Sequence, residues 1–236
     1  MSAPASPPER ARYVQEMFGR IAPRYDLMNR LMTAGQDVQW RKEVIRRAQL
    51  PPGGRLLDLG AGTGDLAREA QRQYPGAQVL AGDFTVKMML AGKGRPGDRL
   101  DWAANDALNL PYPTAVFDAV VSGYLLRNVV DLQRALREQF RVLKPGGRLV
   151  ALDTTRPRKN WLQPFIHFYM SQVIPLLGGL VTGQREAYTY LPTTSESFLT
   201  AEELAARLAA VGFQQVGYQR RMFGTMAIHW AVKPGL

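Results

Sequence analysis

A chain of 236 residues with no cysteine excludes disulfides, thiolate metal sites and cysteine nucleophiles, and this usage suits a cytoplasmic protein. Hydrophobic residues make up 46%, enough for a sizeable core, which excludes disorder beyond a Pro- and Ser-rich tail over residues 1–8. The net charge of +10 is spread as +4 over residues 1–50, +3 over 51–150 and +3 over 151–236, whereas a nucleic-acid groove concentrates its charge.

Residues 9–50 read as helical. Val14, Met17, Phe18 and Ile21 fall at i, i+3, i+4 and i+7, and Leu27, Met28, Leu31 and Met32 repeat the stripe. Pro51-Pro52-Gly53-Gly54 ends that pattern. Strand-like and helix-like segments then alternate. Strands are expected at Arg55–Leu59, Val79–Gly82, Leu100–Ala104, Phe117–Ser122 and Arg148–Asp153, with helices at 64–74, near 85–91 and around Leu132–Leu143. Lys144-Pro145-Gly146-Gly147 reads as the turn before the fifth strand. Thr200 and Glu203 have capping-box spacing, Leu204, Leu208 and Val211 give the following helix an apolar face, and Gly212 ends it. Two last strands are expected near 213–220 and 224–232. Repeated strand–helix units of this length predict an α/β fold, a doubly wound and mostly parallel sheet in one domain over 9–236.

Residues 160–184 stand apart because none of them is charged and Trp161, Phe165, Ile166, Phe168, Tyr169, Met170, Val173 and Ile174 crowd the segment. A membrane span needs about 20 mostly apolar residues, but Pro164, Pro175, Gly178 and Gly179 interrupt this one. The readings are a span, a buried helix pair, or an apolar cap over 157–195 that lines a pocket for a greasy substrate.

Asp58-Leu59-Gly60-Ala61-Gly62-Thr63-Gly64-Asp65 closes the first strand and opens a helix. Glycines there let a backbone turn sharply and approach a ligand closely. A dinucleotide fingerprint needs Gly at the sixth loop position, and this loop has Asp65, which argues against a pyrophosphate. An acid ahead of the glycines suits the cationic methionine moiety of S-adenosylmethionine, which has no phosphate to cradle. Asp83, ending the second strand, can accept from both ribose hydroxyls, and Asn105-Asp106-Ala107 follow the third strand where an adenine edge would lie. Each acid alone reads equally well as a loop or helix cap; three at successive strand ends point to the methyl donor.

The chain resembles the menaquinone and ubiquinone biosynthesis C-methyltransferases from about residue 12 onward. The likeness lies in the run from Phe18 to Asn29 (Phe-Gly-Arg-Ile-Ala-Pro-Arg-Tyr-Asp-Leu-Met-Asn), in Leu57–Asp65, in Leu126-Arg127-Asn128-Val129, in Arg141–Gly147, in Tyr188-Thr189-Tyr190-Leu191-Pro192 and in Ala227-Ile228-His229. The resemblance implies a seven-stranded Rossmann-like methyltransferase sheet with N-terminal helices and a helical cap insertion. It implies donor contacts at Thr63, Asp83, Asp106, Ala107 and Gly123, the last a position where relatives usually carry serine, and Phe84 beside Asp83 is a further candidate contact. It also implies methyl transfer to a ring carbon of a prenylated quinol, with no metal. Arg127 cannot act as an ordinary base, and is expected to stabilise a phenolate with Asn128 as a neutral donor, the alternative being a surface salt bridge or a helix-start contact. Tyr25, Tyr124, Tyr190 and His229 are candidate substrate contacts, with core packing the equal alternative for Tyr190 and burial in a strand the favoured one for His229. Where relatives read Phe-Gly-Leu-Arg-Asn this chain has Tyr124-Leu125-Leu126-Arg127-Asn128, and their Glu-Phe-Ser-Lys-Pro is Asp153-Thr154-Thr155-Arg156-Pro157. Peripheral membrane contact is expected from cap and charge, since an anionic surface gives roughly 1 kcal/mol per nearby Lys or Arg. A homodimer and methylation of another lipid or small molecule stay open. A nucleic-acid methyltransferase is disfavoured, because Ser122-Gly123-Tyr124-Leu125 stands where an Asn-Pro-Pro-aromatic motif would lie.

Overall fold

The computed structural model describes residues 6–95, 99–157, 161, 163–184, 187–188, 194–195 and 198–235. Helix α1, Pro7–Ile21, begins within the expected tail. Pro7 and Pro8 tolerate the first turn because their missing N–H groups would be unpaired there, and the Ser6 amide donates to Glu9 Oε2 at 3.0 Å. A 3-10 turn at Ala22–Arg24 leads into α2, Tyr25–Met32, and α3 spans Asp37–Ala48.

Seven strands form one sheet in the order β3-β2-β1-β4-β5-β7-β6. They are β1 Arg55–Leu59, β2 Gln78–Asp83, β3 Asp101–Ala104, β4 Phe117–Gly123, β5 Leu143–Thr154, β6 Gln214–Arg221 and β7 Met226–Val232. The five strands from β3 to β5 pair in parallel, while β7 runs antiparallel to both β5 and β6. Helices α4 (Asp65–Gln73), α5 (Val86–Gly92) and α6 (Leu132–Val142) make the crossovers. The chain order reverses between β1 and β4, and ligands of such sheets bind outside the carboxyl ends of the strands at that point.

Two cores cover the sheet faces. One packs Trp40, Val44 and Ile45 of α3 and Leu66, Ala67 and Ala70 of α4 on Leu56, Ala119 and Val121. The other packs Ala135, Leu136 and Val142 of α6 with Leu204 and Leu208 of α9 (Ala201–Val211) on Leu57, Val120 and Leu149. The Thr200–Glu203 capping box is present, and Gly212 caps α9 in the left-handed region at φ 110°. The Lys144–Gly147 turn differs from expectation: β5 begins at Leu143, opposite Phe117, and the register then shifts before Ala119. Gly146 takes φ 77° and its amide donates to Lys233 O, so the segment stays bonded to the sheet's far side.

The apolar segment forms α7 (Gln163–Phe168), a π-helical turn (Tyr169–Val173) and α8 (Ile174–Thr182). Ile174 joins a third core with Met17, Ile21, Met28 and Tyr188, which fixes the segment to α1 and α2.

Candidate active site

The loop after β1 is held by the sheet itself. Amides of Gly60 and Ala61 both donate to Gly82 O, at 2.8 and 3.0 Å. Gly60, Gly62 and Gly64 take φ of 71°, 58° and 86°. At Gly64 a Cβ would stand 2.7 Å from the Trp102 ring, so the loop needs glycine for backbone angle and for space together.

Asp83 Oδ2 accepts from the Gly62 amide at 2.7 Å and Oδ1 from the Thr85 amide at 2.6 Å. Burial raises its carboxyl above the ordinary range, against those backbone donors. Asp58 Oδ2 accepts from the Ala67 amide at 2.9 Å, which tethers β1 to α4. Burial pushes the Asp58 carboxyl up to about 7; the Ala67 amide opposes this and nearby Asp83 adds to it. Asp106 Oδ1 accepts from the Leu108 amide at 2.9 Å.

These groups line one cavity, which gathers Asp58, Gly60, Gly62, Thr63, Asp83, Phe84, Asp106, Ala107, Gly123 and Asn128. Buried Oδ1 atoms of Asp58, Asn105 and Asn128 have no hydrogen-bond partner, and all three residues line the wall. A ligand rich in donors, with an ammonium, ribose hydroxyls and an exocyclic amine, complements those acceptors. Among the described residues no three His, Asp or Glu converge as a metal site.

The N-terminal helices cover this cavity. Asp26 of α2 accepts from Thr63 Oγ1 at 2.7 Å and from Arg95 Nη2 at 2.6 Å. Arg95 also pairs with Asp65 at 3.3 Å, and Arg41 of α3 pairs with Asp65 and Asp37.

A second, larger cavity of about 470 Å³ lies beside it, walled by Met32, Phe165, Ile166, Tyr169, Met222, Phe223 and Met226. Tyr25 and Tyr124 belong to the walls of both cavities. Burial raises the pKa of both phenols, so they are neutral. Tyr124 holds φ 62°, a left-handed conformation uncommon for a bulky residue, at the turn that brings its ring between the cavities.

Arg127 faces the second cavity and Asn128 the first. Arg127 Nη1 donates to Asp153 Oδ1 at 2.8 Å, and its guanidinium lies 5.3 Å from the Tyr124 ring centre. Asn128 Nδ2 donates to Tyr124 O at 2.8 Å. His229 lines neither cavity: its Nε2 lies 3.0 Å from Ala201 O, its ring packs near Tyr218, and burial lowers its pKa. Tyr190 lies outside the described residues. Thr154, in the run that departs from the relatives, lines the second cavity, while other wall residues escaped the sequence reading, among them Asn29, Thr33 and Phe223. Asn29 and Thr33 follow Tyr25 at i+4 and i+8, so polar residues at helical spacing beside the apolar stripe were the available signal.

Residues 8–233 match the model of the ubiE/COQ5 methyltransferase family. A ubiquinone/menaquinone biosynthesis C-methyltransferase, UbiE, of Desulfotalea psychrophila is 49% identical over 221 residues, which are 93% of this chain and 90% of that one. A demethylmenaquinone methyltransferase of a Roseiflexus species is 41% identical over 238 residues, covering both chains completely. A solved SAM-dependent methyltransferase of Thermotoga maritima aligns with TM-score 0.66 at 18% identity, over 92% of this chain and 98% of that one, a likeness of fold.

Proposed function

The chain belongs to the ubiE/COQ5 methyltransferase family, and from that membership we propose that it methylates a ring carbon of a prenylated quinol, demethylmenaquinol giving menaquinol. It is a SAM-dependent methyltransferase of quinone biosynthesis. The observation that carries the acceptor reading is the pair of cavities meeting at Tyr25 and Tyr124, one with polar acceptors and one walled by apolar side chains.

Asp58, Asp83, Asp106 and the glycine loop would hold the donor. Bound there, adenosylmethionine supplies an electrophilic methyl carbon on a sulfonium. Acceptor chemistry falls to the residues of the second cavity. A ring carbon attacks when a neighbouring ring hydroxyl loses its proton, and a phenol with a pKa near 10 is mostly neutral at pH 7. A cation within about 4–6 Å lowers such a pKa by roughly 1–3 units. Arg127 supplies that cation, and Asp153 holds the guanidinium while offsetting part of its charge. Tyr25 and Tyr124 hold the acceptor ring against the donor cavity, a proximity effect. A prenylated acceptor partitions into lipid, so the reading extends to peripheral contact with a membrane.

The test is transfer from labelled adenosylmethionine to chemically reduced demethylmenaquinone, with total RNA and bulk phospholipid as parallel acceptors. Label in the quinol alone is the expected result. Label in RNA or phospholipid with none in the quinol overturns the acceptor and leaves the donor standing.

A further inference from the structure

The segment 163–182 combines two properties that rarely coexist. Over Pro164–Thr182 it has the length and apolarity of a membrane-crossing helix, with a mean hydropathy of 1.4, yet only 18% of it is buried. Trp161 and Leu180 are 80% and 75% exposed, and Phe168 and Leu176 also face outward. Alongside, α2 exposes Leu27 and Leu31. Exposed apolar surface on this scale marks a contact with something apolar.

That segment cannot be ringed by lipid. Ile174, Pro175 and Gly178 are buried, and a Cβ on Gly178 would stand 2.3 Å from the Tyr188 ring. Tyr169 Oη donates to Met32 O at 2.8 Å, and Arg24 reaches Val181 O, so α2 is tied alongside at both ends. A helix fixed to protein along one side and apolar along the other lies in the plane of a membrane surface.

Charge selects the kind of surface. Trp161 and residues 163–184 contain no acidic residue. Arg24 and Arg30 are exposed on the adjoining α2 turn and helix. Such a face repels a second copy of itself in a symmetric dimer and attracts anionic headgroups. The apolar cavity also reaches it: Phe165 and Phe223 line that cavity and are 68% and 72% exposed, so they form an outer rim.

We propose that α7, the π turn, α8 and α2 form a docking face for an anionic lipid bilayer. The apolar cavity opens into that face between Phe165 and Phe223, so that a lipid tail passes directly between bilayer and protein. The passage of the tail rests on the prenylated-acceptor reading; the docking does not.

The full-length protein is floated with phosphatidylcholine vesicles, with and without about one-third phosphatidylglycerol. The parent protein should bind the anionic vesicles and release in high salt, and Trp161 fluorescence should shift to the blue, with no such shift in Trp161→Phe. The triple variant Phe168→Gln/Leu176→Gln/Leu180→Gln touches neither cavity wall and should lose at least about tenfold in vesicle affinity. Its transfer to an acceptor carrying one prenyl unit free in solution should stay within about twofold of the parent, whereas transfer to a long-tailed acceptor in vesicles should fall about tenfold. Calorimetric binding of S-adenosylhomocysteine checks that the variant is folded. A triple variant that binds vesicles like the parent overturns the docking face, as does a parent that ignores anionic vesicles. So does a parent dimer that the variant loses while vesicle binding is unchanged. Vesicle binding without methylation of either acceptor leaves the docking intact and removes the quinol reading.

Discussion

Arg127 and Asp153 face each other from the loop after β4 and the end of β5. Nη1 donates to Oδ1 at 2.8 Å, the Arg127 amide donates to Oδ2 at 3.3 Å, and both side chains are out of solvent. Removing one partner strands a buried charge, whereas removing both does not. Asp153→Ala should therefore cost about 3–5 kcal/mol in chemical denaturation. Arg127→Met/Asp153→Ala should cost clearly less than Asp153→Ala alone, and equal costs would show that the pair is not coupled.

Arg127→Met keeps the length of the side chain and removes its charge from the second cavity, the proposed acceptor site. Turnover should fall by at least about a hundredfold, in the range seen when one charge-stabilising group is lost. Calorimetric affinity for S-adenosylhomocysteine should stay within about twofold, since Arg127 does not line the donor cavity. A parallel loss of donor affinity would remove Arg127 from the chemistry.

Asp83 accepts from two backbone amides and lines the first cavity, the proposed donor site. Asp83→Ala leaves both amides unpaired and should cost about 1–3 kcal/mol of stability for each that stays dry. Asp83→Asn retains an acceptor, should melt closer to the parent, and should still bind S-adenosylhomocysteine at least about tenfold more weakly. Undiminished binding by Asp83→Asn would place the ribose elsewhere.

Asp58 gives the donor-free protein a defined pH dependence. Its carboxyl moves from 3.8 to about 7 on folding, with burial the main cause. The folded state therefore holds a proton that the unfolded state has released, so this contribution is complete below pH 4 and is lost as pH rises to 7. Asp58→Asn should flatten that slope in urea denaturation between those limits. A cationic ligand favours the ionised carboxylate, so donor binding should tighten through the same window in the parent and not in the variant. A variant with the parent's slope would assign the titration to another group.

Local signals carried much of the fold. The glycine loop, the acids closing β1 and β2, and the capping box at Thr200 are each written in consecutive residues, and each lies where its spacing required. Contacts between distant residues left no such mark. Asp153 lies 26 positions from Arg127, and Arg95 lies 69 from Asp26, so no periodicity links either pair. A strand position made burial the likelier role of His229, and β7, with buried residues on both faces, does bury it away from the cavities. The run Lys144–Gly147 has the composition of a turn, and only its pairing with Phe117 and Lys233 keeps it on the sheet. The uncharged cap was visible as composition, but its exposed side was fixed by which residues met Tyr188 and Met28.

Among the described residues, Tyr25 and Tyr124 are all that the two cavity walls have in common. Inhibitors built for one compartment therefore need not compete with those built for the other. A nucleoside analogue and an apolar quinone mimic should occupy the enzyme together, and their effects should multiply. A single molecule that links them must pass Tyr25 and Tyr124.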